Sequence, residues 1–133
     1  HNFLILVTIF DSMSKHNELG VKGEILALEF LEKKGYTILE INWRFEKTEI
    51  DIIARHQNTL VIAEVKTRTG NFFGFPEQAV GAEKQRNLAV ATEEYLERNN
   101  LDMDVRFDVI SITFKNNLPE IFHIEDAFFP YEI

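Results

Sequence analysis

The residue pattern predicts an α/β domain: a mixed central β-sheet flanked by α-helices, with elements in the order α-β-β-β-α-β-β. Three observations carry that prediction. Apolar residues recur at helical spacing in two separate stretches, at 17–34 and within 77–98. Three strand-like runs lie between those helices, and two more follow the second. At 133 residues and 45% hydrophobic content, the chain has the size of one domain able to bury a continuous core.

In the first helix Leu19, Ala27, Leu28, Phe30 and Leu31 recur at threes and fours. It stops at Gly35, after Lys33 and Lys34, cations suited to a helix C-terminus. Strands are expected at 36–45, 49–56 and 59–67. The connection RTGNFFGFP leads into the second helix, which has an acidic first turn and Asn99-Asn100 at its end. A strand over 105–114, a turn at KNNLP and a short strand over 120–124 complete the order. The antiparallel-looking start, followed by a helix that can cross over the sheet, makes the sheet mixed.

The single domain is expected to occupy 13–133. Residues 1–12, HNFLILVTIFDS, read as extra N-terminal sequence ahead of Met13, the alternative being a strand that covers an apolar edge. The apolar run from Phe3 to Phe10 is far shorter than the roughly 20 residues that span a bilayer. It also lacks the basic flank and cleavage site of a secretory signal, so no membrane association is expected.

The formal charge of −8 argues against bulk coating of nucleic acid, which draws on many Lys and Arg contacts to phosphates. Any such contact must be focal. The chain has no cysteine, hence no disulfide and no thiolate metal site, and its four histidines are scattered without ligand spacing. That composition fits a reducing cytoplasm, the expected compartment.

Chemistry concentrates in EIDIIARHQNTLVIAEVKTR, residues 49–68. Side chains alternate along a strand, so Leu60, Ile62, Glu64 and Lys66 share one face, and Glu49, Asp51 and Ile53 share one face of the preceding run. With the turn at Gln57-Asn58, Asp51 lies opposite Glu64 and Glu49 opposite Lys66. Opposed side chains have Cβ atoms about 4.5–5.5 Å apart, and two carboxylates at that distance repel. A hard cation such as Mg²⁺ or Mn²⁺ between them would relieve the repulsion, since such ions take one or two carboxylates plus water and phosphate. Lys66 points the same way and could serve an attacking water or a phosphate. The other reading is a structural ion cluster of Glu49, Asp51, Glu64 and Lys66. Glu24 falls between Ala27, Leu28 and Leu31 on the helical stripe that should face the sheet, where an acid needs a partner. Dipole stabilisation early in the helix is the plainer account of it.

Glu24, Asp51 in "EID" and the E-x-K of Glu64-Val65-Lys66 together resemble the PD-(D/E)XK nuclease superfamily. More narrowly, the ordered set GVKGE, ALEFLEKKGYTILEINWRF, EIDIIA, LVIAEVKTRTG, GFPEQAV and RFDVI looks like the YraN family of small bacterial proteins, itself similar to archaeal Holliday-junction resolvases. The resemblance runs from about Met13 to the C-terminus. It implies a restriction-endonuclease-like fold with Asp51 and Glu64 as metal ligands, the Val65 carbonyl as a third, Lys66 at the nucleophile and Glu24 assisting. A homodimer is implied by analogy with the resolvases. Where relatives commonly have Gly-Glu-Ile-Asp, this chain has Thr48-Glu49-Ile50-Asp51.

The remaining candidates have a bland reading beside each functional one. Trp43 could stack on nucleic acid, although an aromatic on a strand is more often core, and Arg44 beside it is a phosphate contact or an ion-pair group. Arg68, Lys84 and Arg86 could meet phosphates near the metal or stand as solvated surface. The stretch from Gly70 to Pro76, with three phenylalanines, is a substrate flap or a set of rings tucked under the second helix. Arg106 and Asp108 share a face and are expected to pair. The histidines are expected at the surface or partly buried, without function. These residues lead to the expectation of a divalent-metal-dependent endonuclease on DNA, ahead of RNA, cutting branched or otherwise structured forms. The alternative is a non-catalytic module of the same fold that binds nucleic acid or a protein partner.

Overall fold

The computed structural model describes residues 18–70 and 80–130. Its elements are α1 (Glu18–Lys33), β1 (Thr37–Phe45), β2 (Thr48–His56), β3 (Thr59–Thr69), α2 (Ala82–Arg98), β4 (Asp104–Lys115) and β5 (Leu118–Ile124). This is the order expected from the sequence. The five strands lie in sequence order across one sheet. All neighbours are antiparallel except β3 and β4, which run parallel with α2 as their crossover.

Each helix covers one side. Val21, Ala27, Leu28 and Leu31 of α1 pack with Ile52, Ala54, Val61, Ala63, Ile110 and Ile112. Leu88, Ala91 and Tyr95 of α2 pack with Ile53, Leu60, Ile62, Phe107 and Val109 on the opposite face. Strand alternation and helical periodicity thus sort one chain into two apolar layers separated by the sheet.

The end of α1 follows from Gly35, which adopts φ 89, a left-handed conformation that costs glycine little. Gly35 N–H donates to the Glu32 carbonyl and Tyr36 N–H to the Leu31 carbonyl, both at 3.0 Å. These are the two bonds of a Schellman cap, and Tyr36 joins Leu31 in the same apolar cluster. Farther up the helix, Gly23 lets α1 approach β3: a Cβ there would collide with Thr67 Oγ1 and lie 3.0 Å from Thr67 Cβ. The residue after Gly23 is Glu24.

Gln57 and Asn58 form the β2–β3 turn, and the pairs Ile52↔Ala63 through His56↔Thr59 hold the register expected from the sequence. The expectations for residues 1–12 and for the phenylalanines of the Gly70–Pro76 connection fall outside the described residues.

Candidate metal centre

The β2–β3 ladder stops at Ile52↔Ala63, one residue short of Asp51 and Glu64. Beyond it, carboxylates replace backbone partners. Asp51 N–H donates to Glu64 Oε2 at 3.2 Å, and Val65 N–H donates to Asp51 Oδ2 at 2.8 Å. The two acids therefore meet where the strands part. An independent irregularity marks the same row. On β1, Ile41 packs on the α1 side of the sheet but Trp43 on the α2 side, and on β2 the same change separates Ile52 from Ile50. Strict alternation keeps each of those pairs on one face, so both strands break step between them. The residues at the break are Asn42, with φ 52, and Asp51.

The break and the parting of the strands correct one expectation. Glu49 does not face Lys66; it pairs across β1 with Arg44, whose Nη2 lies 2.9 Å from Glu49 Oε2. Arg44 is thus an ion-pair group with an exposed side chain. Trp43 packs edge-on against Tyr95, with its centroid 5.2 Å from that ring, partly buried against the α2-side cluster. Thr48 carries no positive φ; at the β1–β2 turn that conformation falls on Glu46, at φ 55.

Electrostatics single out the pair. Glu64 is 0% exposed, and burial pushes its carboxyl above the ordinary range. Asp51 is pushed up to about 7, first by burial and then by the neighbouring Glu64 charge. Two lysines answer them. Lys84 Nζ lies 3.1 Å from Glu64 Oε1, at ion-pair distance though outside hydrogen-bond alignment. Burial works against the Lys84 ammonium, but the Glu64 and Asp51 carboxylates outweigh it and raise its pKa. Lys66 is half-buried, and burial together with the adjacent Lys84 ammonium lowers its pKa. The site is a balanced quartet: two anions that repel each other and two cations within hydrogen-bonding reach of one another.

The structure therefore brings together Asp51, Glu64, Val65, Lys66 and Lys84. Arg86 is exposed and sits about 200° around α2 from Lys84. Arg68 follows Lys66 on the same face of β3, half-buried and opposite Thr113 of β4. Glu24 is half-buried on α1, and among the described residues no three His, Asp or Glu side chains gather in a metal-holding group. Lys84 stands against Glu64 itself and not merely on the rim, and its spacing carried the signal. It precedes Leu88 by four residues and Ala91 by seven, which puts it on the buried stripe of α2.

A cleft of about 430 Å³ opens onto the site, lined by Lys47, Thr48, Glu49, Asp51, Glu83, Lys84 and Asn87. Lys47 and Asn87, which nothing in the strand pattern marks, join it because the β1–β2 turn and the first turns of α2 face each other across Asp51. The donor set suits a hard divalent ion. It consists of two carboxylates and the Val65 carbonyl, which leaves β3 on the same side as the Val65 N–H that reaches Asp51.

A second polar cluster on the α1 side is fully satisfied. Arg106 grips Asp108 through Nε at 2.9 Å and Nη2 at 2.8 Å, as expected from their shared face. His123 Nε2 lies 2.7 Å from Asp108, and Asp126 N–H donates to it at 3.1 Å. His123 is partly buried, within what the sequence led us to expect, with its side chain 3% exposed. Burial raises the Asp108 pKa, but these bonds outweigh it and hold the carboxyl below its ordinary range.

No helix among the described residues is long and apolar enough to cross a membrane. Comparison with known proteins matches residues 23–112 to the model of the uncharacterised protein family UPF0102. A UPF0102 protein of Flavobacterium psychrophilum is 50% identical over 119 residues, covering 90% of this chain and 100% of its own. One from Christiangramia forsetii is 50% identical over 88% of this chain and 98% of its own, and one from Geobacter metallireducens 50% over 87% and 97%. A match spanning most of α1, the hairpin, α2 and most of β4, with relatives alike from end to end, places the chain in the YraN-like family that its motifs suggested: it belongs to UPF0102.

Proposed function

We propose that the chain is a divalent-metal-dependent endonuclease of the PD-(D/E)XK type that hydrolyses DNA phosphodiesters, with branched or otherwise structured DNA as the expected substrate. The observation that carries this reading is the meeting of Asp51 and Glu64 where the β2–β3 ladder ends. There desolvation pushes both carboxyls toward the neutral form, and the Glu64 charge adds to it at Asp51. A folding role gives no reason to oppose two acids in this way, whereas a metal site does.

Asp51, Glu64 and the Val65 carbonyl would hold Mg²⁺ or Mn²⁺, which when bound supplies Lewis-acid stabilisation of the phosphate and a more acidic water. The remaining steps belong to the side chains. Burial and Lys84 lower the Lys66 pKa and so weaken its hold on a proton, and in this reading its neutral amine would accept the proton of the attacking water. As the new P–O bond forms, one ester P–O bond breaks and solvent protonates the departing oxygen. The cleft between the β1–β2 turn and α2 admits the backbone, with Lys47 at its rim meeting phosphate. On a chain of charge −8 this is a local rather than a global attraction. Glu24 and Arg68 would support the site from α1 and from the next inward position of β3.

The test is calorimetric titration with Mg²⁺ and Mn²⁺, together with incubation on branched, duplex and single-stranded DNA and on RNA. Metal binding that Asp51→Asn abolishes, with metal-dependent cleavage of DNA, is the expected result. A wild-type chain that binds neither ion overturns the enzyme reading in favour of a non-catalytic module.

A further inference from the structure

Lys84 poses a geometric problem for the metal site. Its Nζ stands 3.1 Å from Glu64 Oε1, on an oxygen that an ion would coordinate. Mg²⁺ binds carboxylate oxygen at about 2.0–2.1 Å in a near-ideal octahedron and tolerates little crowding. An ammonium held at that oxygen competes with a doubly charged ion there, in charge and in position. Nor is Lys84 there by chance of exposure. It continues the buried stripe of α2 one turn ahead of Leu88, so the helix that covers the sheet also aims it at Glu64. Meanwhile its side chain is 43% exposed, with the cleft lined by Lys47, Glu83 and Asn87 open beside it. It has somewhere to go.

From this geometry we infer that Lys84 is an exchangeable counterion: it holds Glu64 in the metal-free protein, gives way when a divalent ion arrives, and turns into the cleft to take a phosphate oxygen of the substrate. The inference rests on the metal-site reading of Asp51 and Glu64. It explains why two lysines crowd against two acids: Lys66 stays for the reaction, and Lys84 neutralises the site between metals. It also orders events, since the phosphate-binding cation is released only after the metal is in place, so nucleic acid that reaches the metal-free site meets a cation already engaged.

The experiment follows the Lys84 ammonium directly, in protein labelled with ¹⁵N-lysine at low temperature and mildly acidic pH, with Lys84→Met to assign the signal. An ammonium held on Glu64 exchanges its protons slowly and gives a protected resonance. Saturating Mg²⁺ is expected to remove that protection in the wild type. In parallel, calorimetry is expected to show Lys84→Met binding Mg²⁺ about tenfold tighter, a gain of about 1.4 kcal/mol. Lys47→Met removes a charge of the same sign from the rim of the same cleft, and general screening limits its effect to less than about twofold. Wild-type protein that binds Mg²⁺ while Lys84 keeps its protection, or Lys84→Met with unchanged affinity, overturns the exchange and leaves the metal site standing. Failure of both the wild type and Lys84→Met to bind Mg²⁺ overturns the metal site and this inference with it.

Discussion

Replacing Asp51 by Asn removes one of two mutually repelling charges and almost nothing else. Asn keeps an oxygen to accept the Val65 N–H and presents an amide donor toward Glu64 in place of a second anion. The stability effect follows from the pKa. Burial and Glu64 carry the Asp51 carboxyl from its ordinary 3.8 to about 7 in the folded chain. At about 1.4 kcal/mol per pH unit, this corresponds to about 4 kcal/mol held against the ionised form when the fold is intact. Below the unfolded value both states are protonated and the penalty vanishes. Between about 4 and about 7 the folded chain binds the extra proton, so wild-type stability falls as pH rises, and above about 7 the loss is complete. Asp51→Asn escapes this penalty. Its metal-free melting temperature should match the wild type near pH 4 and exceed it at pH 8, by about 3–5 °C for each kcal/mol recovered. Thermal melts with chelator across that range read the effect, and Mg²⁺ calorimetry on the same samples should show binding lost. A structural ion cluster predicts the reverse, a loss of about 3–5 kcal/mol at pH 8 from stranding a partner charge. That outcome, with metal binding intact, would refute the site.

Gly23→Ala places a methyl into Thr67, and the collision should cost about 1–3 kcal/mol in chemical denaturation, with Thr67→Ala in the same chain recovering part of it. Asp108→Asn strands the Arg106 and His123 partners and should cost about 3–5 kcal/mol at neutral pH while Mg²⁺ affinity at Asp51 and Glu64 is unchanged. Because the Asp108 carboxyl is held low, its contribution is full above the ordinary aspartate pKa and is lost as pH falls through the folded value, which acid melts of wild type and variant will show.

The sequence disclosed the site's parts because each obeys a local rule. A two-residue turn at Gln57-Asn58 sets the register, and the register carries Asp51 to Glu64, so the pair was legible without coordinates. The surroundings were not. Strand alternation assumes a regular ladder, and here the ladder ends at Ile52 while β1 and β2 break step around Asn42 and Asp51. Asparagine tolerates the left-handed φ at position 42, but an Asn in a strand does not announce it. That irregularity is why Glu49 answers to Arg44 and not to Lys66. Lys84 was visible as a nearby cation, yet its part in the quartet depends on how α2 lies across the sheet, which only packing decides.

Two buried aspartates in one fold show what the chain does with an acid it merely has to accommodate. Asp108, on the α1 side, is 0% exposed and receives Arg106 twice, His123 and the Asp126 N–H, until its carboxyl is more acidic than in water. The sheet can therefore satisfy a buried carboxylate completely. Asp51, on the neighbouring strand pair, receives one backbone N–H and a second carboxylate, and is driven the opposite way. Burial raises both, and the partners decide the direction. An arginine at the end of β2 would have quieted Asp51 as Arg106 quiets Asp108. What faces Asp51 instead is Glu64 of β3, paired to Lys84, whose half-exposed side chain borders the open cleft. On the proposed reading, a repulsion kept next to a removable cation is the electrostatic form of a site built to receive one that is more highly charged.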